Sequence, residues 1–433
     1  MSTHPTVRQL QLPSLLGYWW SVSGSLLMFA TLPVWRPDTE SLLPRIPLVG
    51  WGLFLPLWLE WTALIGNFIG LLLAGLATYY DRRTTFGFLI WLLSTGILIV
   101  GDQVRFQPWW MHLAISGWIL TFSQPKTVAL WLRLLLAGIY GWSAWSKWDY
   151  SFLTSHGREL TSALFQSVGM PIDFSPATLT ILALLLPLGE TIAAAMLLFS
   201  RTQRYGLYAA LVMHLLLGLA LGPTGLNHSR GVHIWNAVCI AELLCLIALM
   251  RCETREVPPL TTSLREVARK NRIVATVVMS ALLFPMLSPW GWCDPWCAWE
   301  LYASRPARAE LYIDYRRRSA LPSHVRRFVD AGSAAHPWCR VRIETWALEE
   351  YAVPLAPGWR LPLAISSSLA ETFGWKSECR VEIYGPADRF TGHRRRRTLR
   401  GEEEIQQELK SFLLNVSPRS VSEPIKASED DLQ

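Results

Sequence analysis

The chain has 433 residues, is 51% hydrophobic, carries 23 tryptophans and has a formal net charge of +7. Charges are sparse from Ser14 to Met250 and dense after Arg251, which separates membrane-type material from a water-soluble tail. The positive charge is spread over short loops and arginine clusters, a pattern read here against nucleic-acid binding.

A bilayer-crossing helix needs about 20 mostly apolar residues. Runs of this kind lie at 14–33, 61–80, 85–101, 108–122, 127–146, 178–199, 203–222, 232–250 and 272–290, and predict about nine transmembrane helices. The first run lacks the charged flank and small-residue cleavage site of a secretory signal, so it is expected to stay as the first span. The 47–59 run, with Pro47, Pro56 and its tryptophans, reads as an interfacial or re-entrant piece. In a nine-span arrangement Arg82, Arg83, Lys126, Arg201, Arg204 and the basic group from Arg251 to Arg272 share one side. The positive-inside rule makes that side cytoplasmic, placing the N-terminus inside and the C-terminal domain outside. Arg316-Arg317-Arg318 pulls the other way, but in a segment expected to fold, where the rule weakens.

From Trp299 the pattern changes. Period-two alternation in Glu310–Tyr315, Cys339–Trp346 and Cys379–Tyr384 predicts half-buried strands. Helical spacing from Leu361 to Phe373 stops at Gly374. The expected fold is an all-α polytopic membrane bundle over 1–298, then a small α+β extracytoplasmic domain over 299–400. Residues 401–433 read as a charged helix followed by a disordered tail. Of the cysteines, Cys293, Cys297, Cys339 and Cys379 fall in the tail, and the Cys293-x3-Cys297 spacing favours a local structural disulfide.

Polar groups gather at the outer ends of the spans: Asp102-Gln103, Gln107-Pro108-Trp109 with His112, Trp145 and Lys147 with Asp149, His156, and Asn227-His228. In Ala137–Asp149 the small residues Gly138, Gly141, Ser143, Ala144 and Ser146 recur at three- and four-residue spacings, which permits close helix approach. Lys147 closes this run among tryptophans. It either snorkels to the headgroups or sits in a partly dry pocket, where desolvation makes a lysine a usable base. The connection from Trp148 to Pro176 is long, as functional loops often are, and Gly157–Val168 reads as a short helix within it.

Glu190, His214 and Glu242 fall near the middles of their spans. Charged groups at that depth cost at least about 2.5 kcal/mol and so face the bundle interior. A tight turn joins the spans of Glu190 and His214, which lets the two meet, as a bond holding two helices together or as a proton-handling, cofactor-contacting pair. There is no zinc-type Cys/His spacing, phosphate-binding glycine loop or Gly-x-Ser-x-Gly elbow. His393 with Arg394–Arg397 reads as solvated surface or an anionic headgroup contact.

The segment Ala137–Asp149 resembles the small-residue helix ending in lysine of the DoxX/MauE membrane families. It is also similar to the horizontally transferred transmembrane domain of vitamin K-dependent gamma-carboxylase-like proteins. Asp102–Trp109 resembles the polar element preceding that helix, Leu188-Gly189-Glu190 the glutamate-bearing helix, and Ala209–His214 with Gly218 the histidine-bearing one. The similarity spans roughly residues 60–250. It implies a bundle whose outward cavity handles a quinone or a thiol/disulfide partner, with Lys147 at the position of the carboxylase branch's base. That branch has an Asn-His pair where this chain has Gln107-Pro108.

The functional expectation is a multi-pass protein of the plasma (bacterial inner) membrane, with lipids around it and an outer-face cavity for a quinone-like or lipid ligand. Lys147, Glu190 and His214 are the candidate catalytic residues, and Asp102, Gln107, Trp109, Trp145 and Asp149 the candidate cofactor-binding ones. The alternative is a non-catalytic anchor or assembly factor that presents the 299–400 domain to a protein partner. A transporter would show broken helices in matching halves, and no such symmetry is present.

Overall fold

The computed structural model describes residues 12–37, 43–80, 83–170, 173–252 and 268–419. Every one of the nine apolar runs is helical. In chain order they form α1 (Leu12–Ala30) with the short α2 (Leu32–Trp35), α3 (Leu57–Tyr79), α4 (Thr85–Gly101), α5 (Pro108–Phe122) and α6 (Val128–Lys147). The small α7 (Tyr150–Thr154) and α8 (His156–Ser167) lead to α9 (Pro176–Ala183), α10 (Leu185–Leu198), α11 (Gln203–Leu221), α12 (Arg230–Cys252) and α13 (Arg272–Leu283). Among the described residues six helical stretches are long and apolar enough to cross a membrane: 57–79, 125–147, 176–198, 203–221, 230–251 and 272–290. The helices α1, α4 and α5 are not among the six, so the count of nine crossings is not established.

Close backbone approach explains the pairing of α3 with α4. A side-chain carbon on Gly70 would meet the Trp91 backbone nitrogen at 2.6 Å, and one on Gly87 would meet that of Ala74 at 2.5 Å. Small residues at such crossings let helices gain dispersion contact where lipid offers no hydrophobic drive. The proline-rich stretch before α3 forms a single 3₁₀ turn, Gly50–Phe54, rather than a crossing.

The tail folds as an antiparallel sheet of β1 (Arg308–Asp314), β2 (Trp338–Val341), β3 (Cys379–Tyr384) and β4 (Arg396–Arg400), in the order β2-β1-β3-β4. The short helices α14 (Tyr315–Arg318) and α15 (Ser323–Arg326) follow β1. Then α16 (Ile343–Tyr351) and α17 (Arg360–Thr372) follow β2, and α18 (Gly401–Leu409) follows β4. Leu311, Ile313 and Val381 on the sheet and Leu363, Ala364 and Leu369 on α17 are buried, which accounts for the alternation. Gly374, at φ +64°, ends α17 in the left-handed conformation that glycine adopts without penalty.

Two expectations need correction. Of Cys339–Trp346 only Cys339–Val341 is strand, because Ile343 starts α16, whose buried Ile343, Trp346 and Ala347 follow helical spacing. Cys293 and Cys297 are free thiols, not a disulfide; the Cys293 thiol lies 3.6 Å from the Asp294 carbonyl. The expected charged helix is present as α18, while the end of the predicted tail, 420–433, lies outside the described residues.

The sheet domain is bonded to one end of the bundle. Arg360 donates to Gln103 Oε1 at 3.2 Å and pairs with Asp294 at 3.1 Å, and Gln107 Nε2 donates to the Pro354 carbonyl at 3.2 Å. The backbone N–H of Tyr150 donates to the Arg389 carbonyl at 2.8 Å. That same end carries Lys147.

Candidate functional site

Tyr140, Ser143 and Lys147 stand at i, i+3 and i+7 of α6 and therefore share one face, spread over about 10 Å of helix axis. That face lines a cavity of about 490 Å³, within the range of small-molecule sites. Its walls are mostly leucine, alanine and aromatic side chains from α6, α8, α10, α11 and α12, and Leu301 and Tyr302 of the post-bundle segment also line it.

Lys147 does not snorkel. Its side chain is only 4% exposed, and its Nζ donates to Glu190 Oε1 at 2.8 Å, Glu190 Oε2 at 2.9 Å and Ser143 Oγ at 2.5 Å. All three ammonium protons therefore have acceptors. A buried pair of this kind, with both charges hydrogen-bonded, avoids the large cost of an isolated ion.

Glu190 and His214 both line the cavity but do not bond to one another, contrary to expectation. Each has a partner closer to hand. The Asn236 side-chain amide donates to the His214 carbonyl at 2.7 Å, which turns its Oδ1 toward His214 Nδ1 at 2.6 Å. The imidazole proton therefore sits on Nδ1, and Nε2 accepts from the Tyr140 hydroxyl at 3.0 Å. With its proton committed to His214, the Tyr140 oxygen is left with acceptor capacity.

A further pair comes from α5 and α12. The Trp235 indole, a donor only, reaches His112 Nδ1 at 3.3 Å, so the His112 proton is on Nε2. That Nε2 lies 3.0 Å from Glu242 Oε2, at ion-pair distance but outside hydrogen-bond alignment. His112 lines the same cavity as Lys147, and Glu242 is completely buried behind it.

The other sequence-derived candidates go elsewhere. Asp102 caps a 3₁₀ turn, its Oδ1 accepting from the Val104 N–H at 3.0 Å, and burial raises its pKa. Gln107 bonds to Val104 and to the sheet domain, and Trp109 stands edge-on to Trp35 with ring centres 5.6 Å apart. None of the three lines the Lys147 cavity. Asp149 is buried, caps α7 by accepting from the Phe152 N–H at 3.0 Å, and has a pKa raised by that burial. Trp145, two residues before Lys147, points to the opposite side of α6 and is 55% exposed.

Tyr140, Ser143 and Asn236 were missed. Two of them had a signal, since stepping back from Lys147 by four and seven residues reads them off. Asn236 had only its isolation in an apolar run. Among the described residues no group of three or more His, Cys, Asp or Glu side chains is placed to hold a metal ion.

Comparison with known proteins bears on this region. No curated protein and no solved structure matches the chain. Together with its long apolar helices, the comparison with family models makes the chain a multi-pass membrane protein. Over residues 125–233, the stretch holding Lys147, Glu190 and His214, it matches the model of the family described as methylamine utilisation protein MauE.

Proposed function

We propose that the Lys147 cavity is an outward-facing binding site for a quinone-like or lipid ligand, with base-initiated or redox-linked chemistry at Lys147. In this reading nine helices cross the plasma membrane, the N-terminus is cytoplasmic and the sheet domain lies outside. The observation that carries it is the buried Lys147–Glu190 pair set in a mostly apolar cavity of about 490 Å³.

The pair suits proton transfer. Moving one proton along the 2.8 Å bond from Nζ to Glu190 turns ammonium and carboxylate into amine and acid, with no change in net charge. The amine lone pair then takes a proton from a ligand hydroxyl, and Glu190 holds the proton released first. Any oxidation or reduction belongs to the ligand, with the chain supplying orientation and protons. The gamma-carboxylase-like resemblance of the Lys147 helix supports this role for the lysine.

The test is solvent extraction and mass spectrometry of the detergent-purified protein, beside Lys147→Ala and Lys147→Arg. The proposal expects an isoprenoid-quinone-type or lipid species bound to the parent and lost from both variants, because the arginine fork does not reproduce a compact ammonium between Glu190 and Ser143. Retention of the ligand by Lys147→Arg at parental level overturns it. A stoichiometric protein partner without a bound small molecule favours the anchor reading.

A further inference from the structure

The opposite side of α6 borders a second cavity, of about 610 Å³, between that helix and the chain from Leu282 to Pro289. Its apolar wall follows α6 from Leu134 to Trp145 and Ser146, and Leu282, Pro285 and Met286 face it across the gap. At about 1.5 Å per residue this wall is roughly 18 Å long, close to the ~15 Å hydrocarbon depth of one leaflet. Gly141 helps keep the trough open: only Ala194, at 3.8 Å, comes within 4 Å of where its side-chain carbon would be.

One end of the trough is polar. Arg305, Arg389, Glu300 and Ser288 line it. The Glu300 carboxylate accepts from the Ser288 hydroxyl at 2.5 Å, and burial raises its pKa; even fully ionised it offsets only one of the two guanidinium charges. Arg389 lies over the Trp145 ring, 4.2 Å from its centre, and donates to the Trp145 and Trp148 carbonyls at 3.2 and 3.3 Å. Arg305 donates to the Ala387 carbonyl at 3.3 Å. Among the described residues neither guanidinium has a carboxylate within ion-pair distance, so the lining carries net positive charge. Trp145, Trp290, Trp292 and Phe390 are exposed around this end, as aromatic side chains are at headgroup level.

We infer that this trough holds an acyl chain of an anionic phospholipid, whose phosphate is received by Arg305 and Arg389. Charge and length support the assignment together: the cationic end lies in the aromatic girdle, and the apolar wall runs inward by about one leaflet. The site is separate from the Lys147 cavity and does not depend on the function proposed for it.

The experiment is native mass spectrometry of the delipidated full chain offered equal amounts of phosphatidylglycerol and phosphatidylcholine with identical acyl chains. The expected result is retention of phosphatidylglycerol over phosphatidylcholine by about tenfold or more, the discrimination two arginines give at a membrane surface. The double variant Arg305→Gln/Arg389→Gln is expected to bring the two lipids to parity. Gly141→Leu, which fills the trough without touching the arginines or the sheet domain, is expected to reduce retention of both at unchanged melting temperature. Equal retention of the two lipids by the parent chain overturns the inference, as does undiminished retention by Gly141→Leu. Displacement of the lipid by excess inorganic phosphate would mark a soluble-anion site and also overturn it.

Discussion

Replacing Lys147 by alanine strips Glu190 of its ammonium. No other donor reaches the Glu190 carboxylate among the described residues, and its side chain is 9% exposed, so water does little to replace the loss. Breaking one partner out of a buried, hydrogen-bonded pair costs about 3–5 kcal/mol. Glu190→Ala should fall at the low end of that range, because Ser143 still accepts from the ammonium at 2.5 Å. In the double variant neither charge is stranded, so its loss should be smaller than the sum of the single losses by about 2 kcal/mol, within the range for directly contacting groups. A shape-matched apolar pair, Lys147→Met/Glu190→Leu, should be near neutral or stabilising while abolishing ligand retention. The assay is reversible unfolding of the detergent-solubilised protein in a denaturing surfactant, read by tryptophan fluorescence on all five proteins. A coupling below about 0.5 kcal/mol, where independent sites normally fall, would mean that the two side chains do not meet in the folded protein. The cavity would then lose its polar anchor and the proposed chemistry its base.

Removal of Glu60 is predicted to be comparably severe. Arg105, with no exposed side-chain surface, pairs with it at 2.6 Å and Arg419 holds its other oxygen, so Glu60→Ala should cost about 3–5 kcal/mol and loosen the C-terminal segment to protease. Tyr140→Phe should cost only about 1 kcal/mol in the same unfolding assay, the worth of one neutral hydrogen bond to His214, yet weaken ligand retention severalfold. Glu300 supplies the pH dependence. Burial lifts its folded-state pKa above that of the unfolded chain, so its contribution favours folding below the ordinary carboxylate range and is lost as pH rises through the folded value. Glu300→Gln should therefore melt slightly higher than the parent at neutral pH, with the gap closing on acidification. A gap that widens toward acid would contradict this.

Hydropathy located the helices well because each apolar run is a local property of the chain. Thr85–Gly101 and Arg360–Thr372 begin and end within a residue or two of where the sequence puts them. Alternation located β1 and β3 for the same reason. It overran into Ile343–Trp346, four residues whose alternation fits a strand and the first turn of a helix equally well. Partner choice inside the bundle was less legible. The turn between their spans brings Glu190 and His214 within reach, but reach does not fix which of several nearby donors and acceptors wins. Lys147, from a helix distant in sequence, took the place beside Glu190, and Asn236, on the helix after that of His214, took the place beside the imidazole. The polar stretch Asp102–Trp109 gave a strong signal for a different reason: Gln103 and Gln107 hold the sheet domain, and a docking contact and a ligand contact call for the same side chains.

Trp145 and Lys147 show how two sites can share one short motif. Two residues on a helix are separated by about 200° of rotation, so adjacent polar and aromatic groups at the end of α6 face opposite ways. On the Lys147 side the serine at i−4 and the tyrosine at i−7 keep polar atoms within a cavity whose far wall belongs to α10, α11 and α12. On the Trp145 side Gly138 and Gly141 reduce the helix to bare backbone, and Leu282 packs over Gly138 before the trough opens. The small residues along α6 therefore do different work on its two faces. The hydroxyl of Ser143 fixes the lysine, whereas the missing side chain of Gly141 leaves room along the trough. A bulky residue at Gly141 should consequently leave the Lys147 pair intact, and a change at Ser143 should leave the trough intact, although the two positions are only half a helical turn apart.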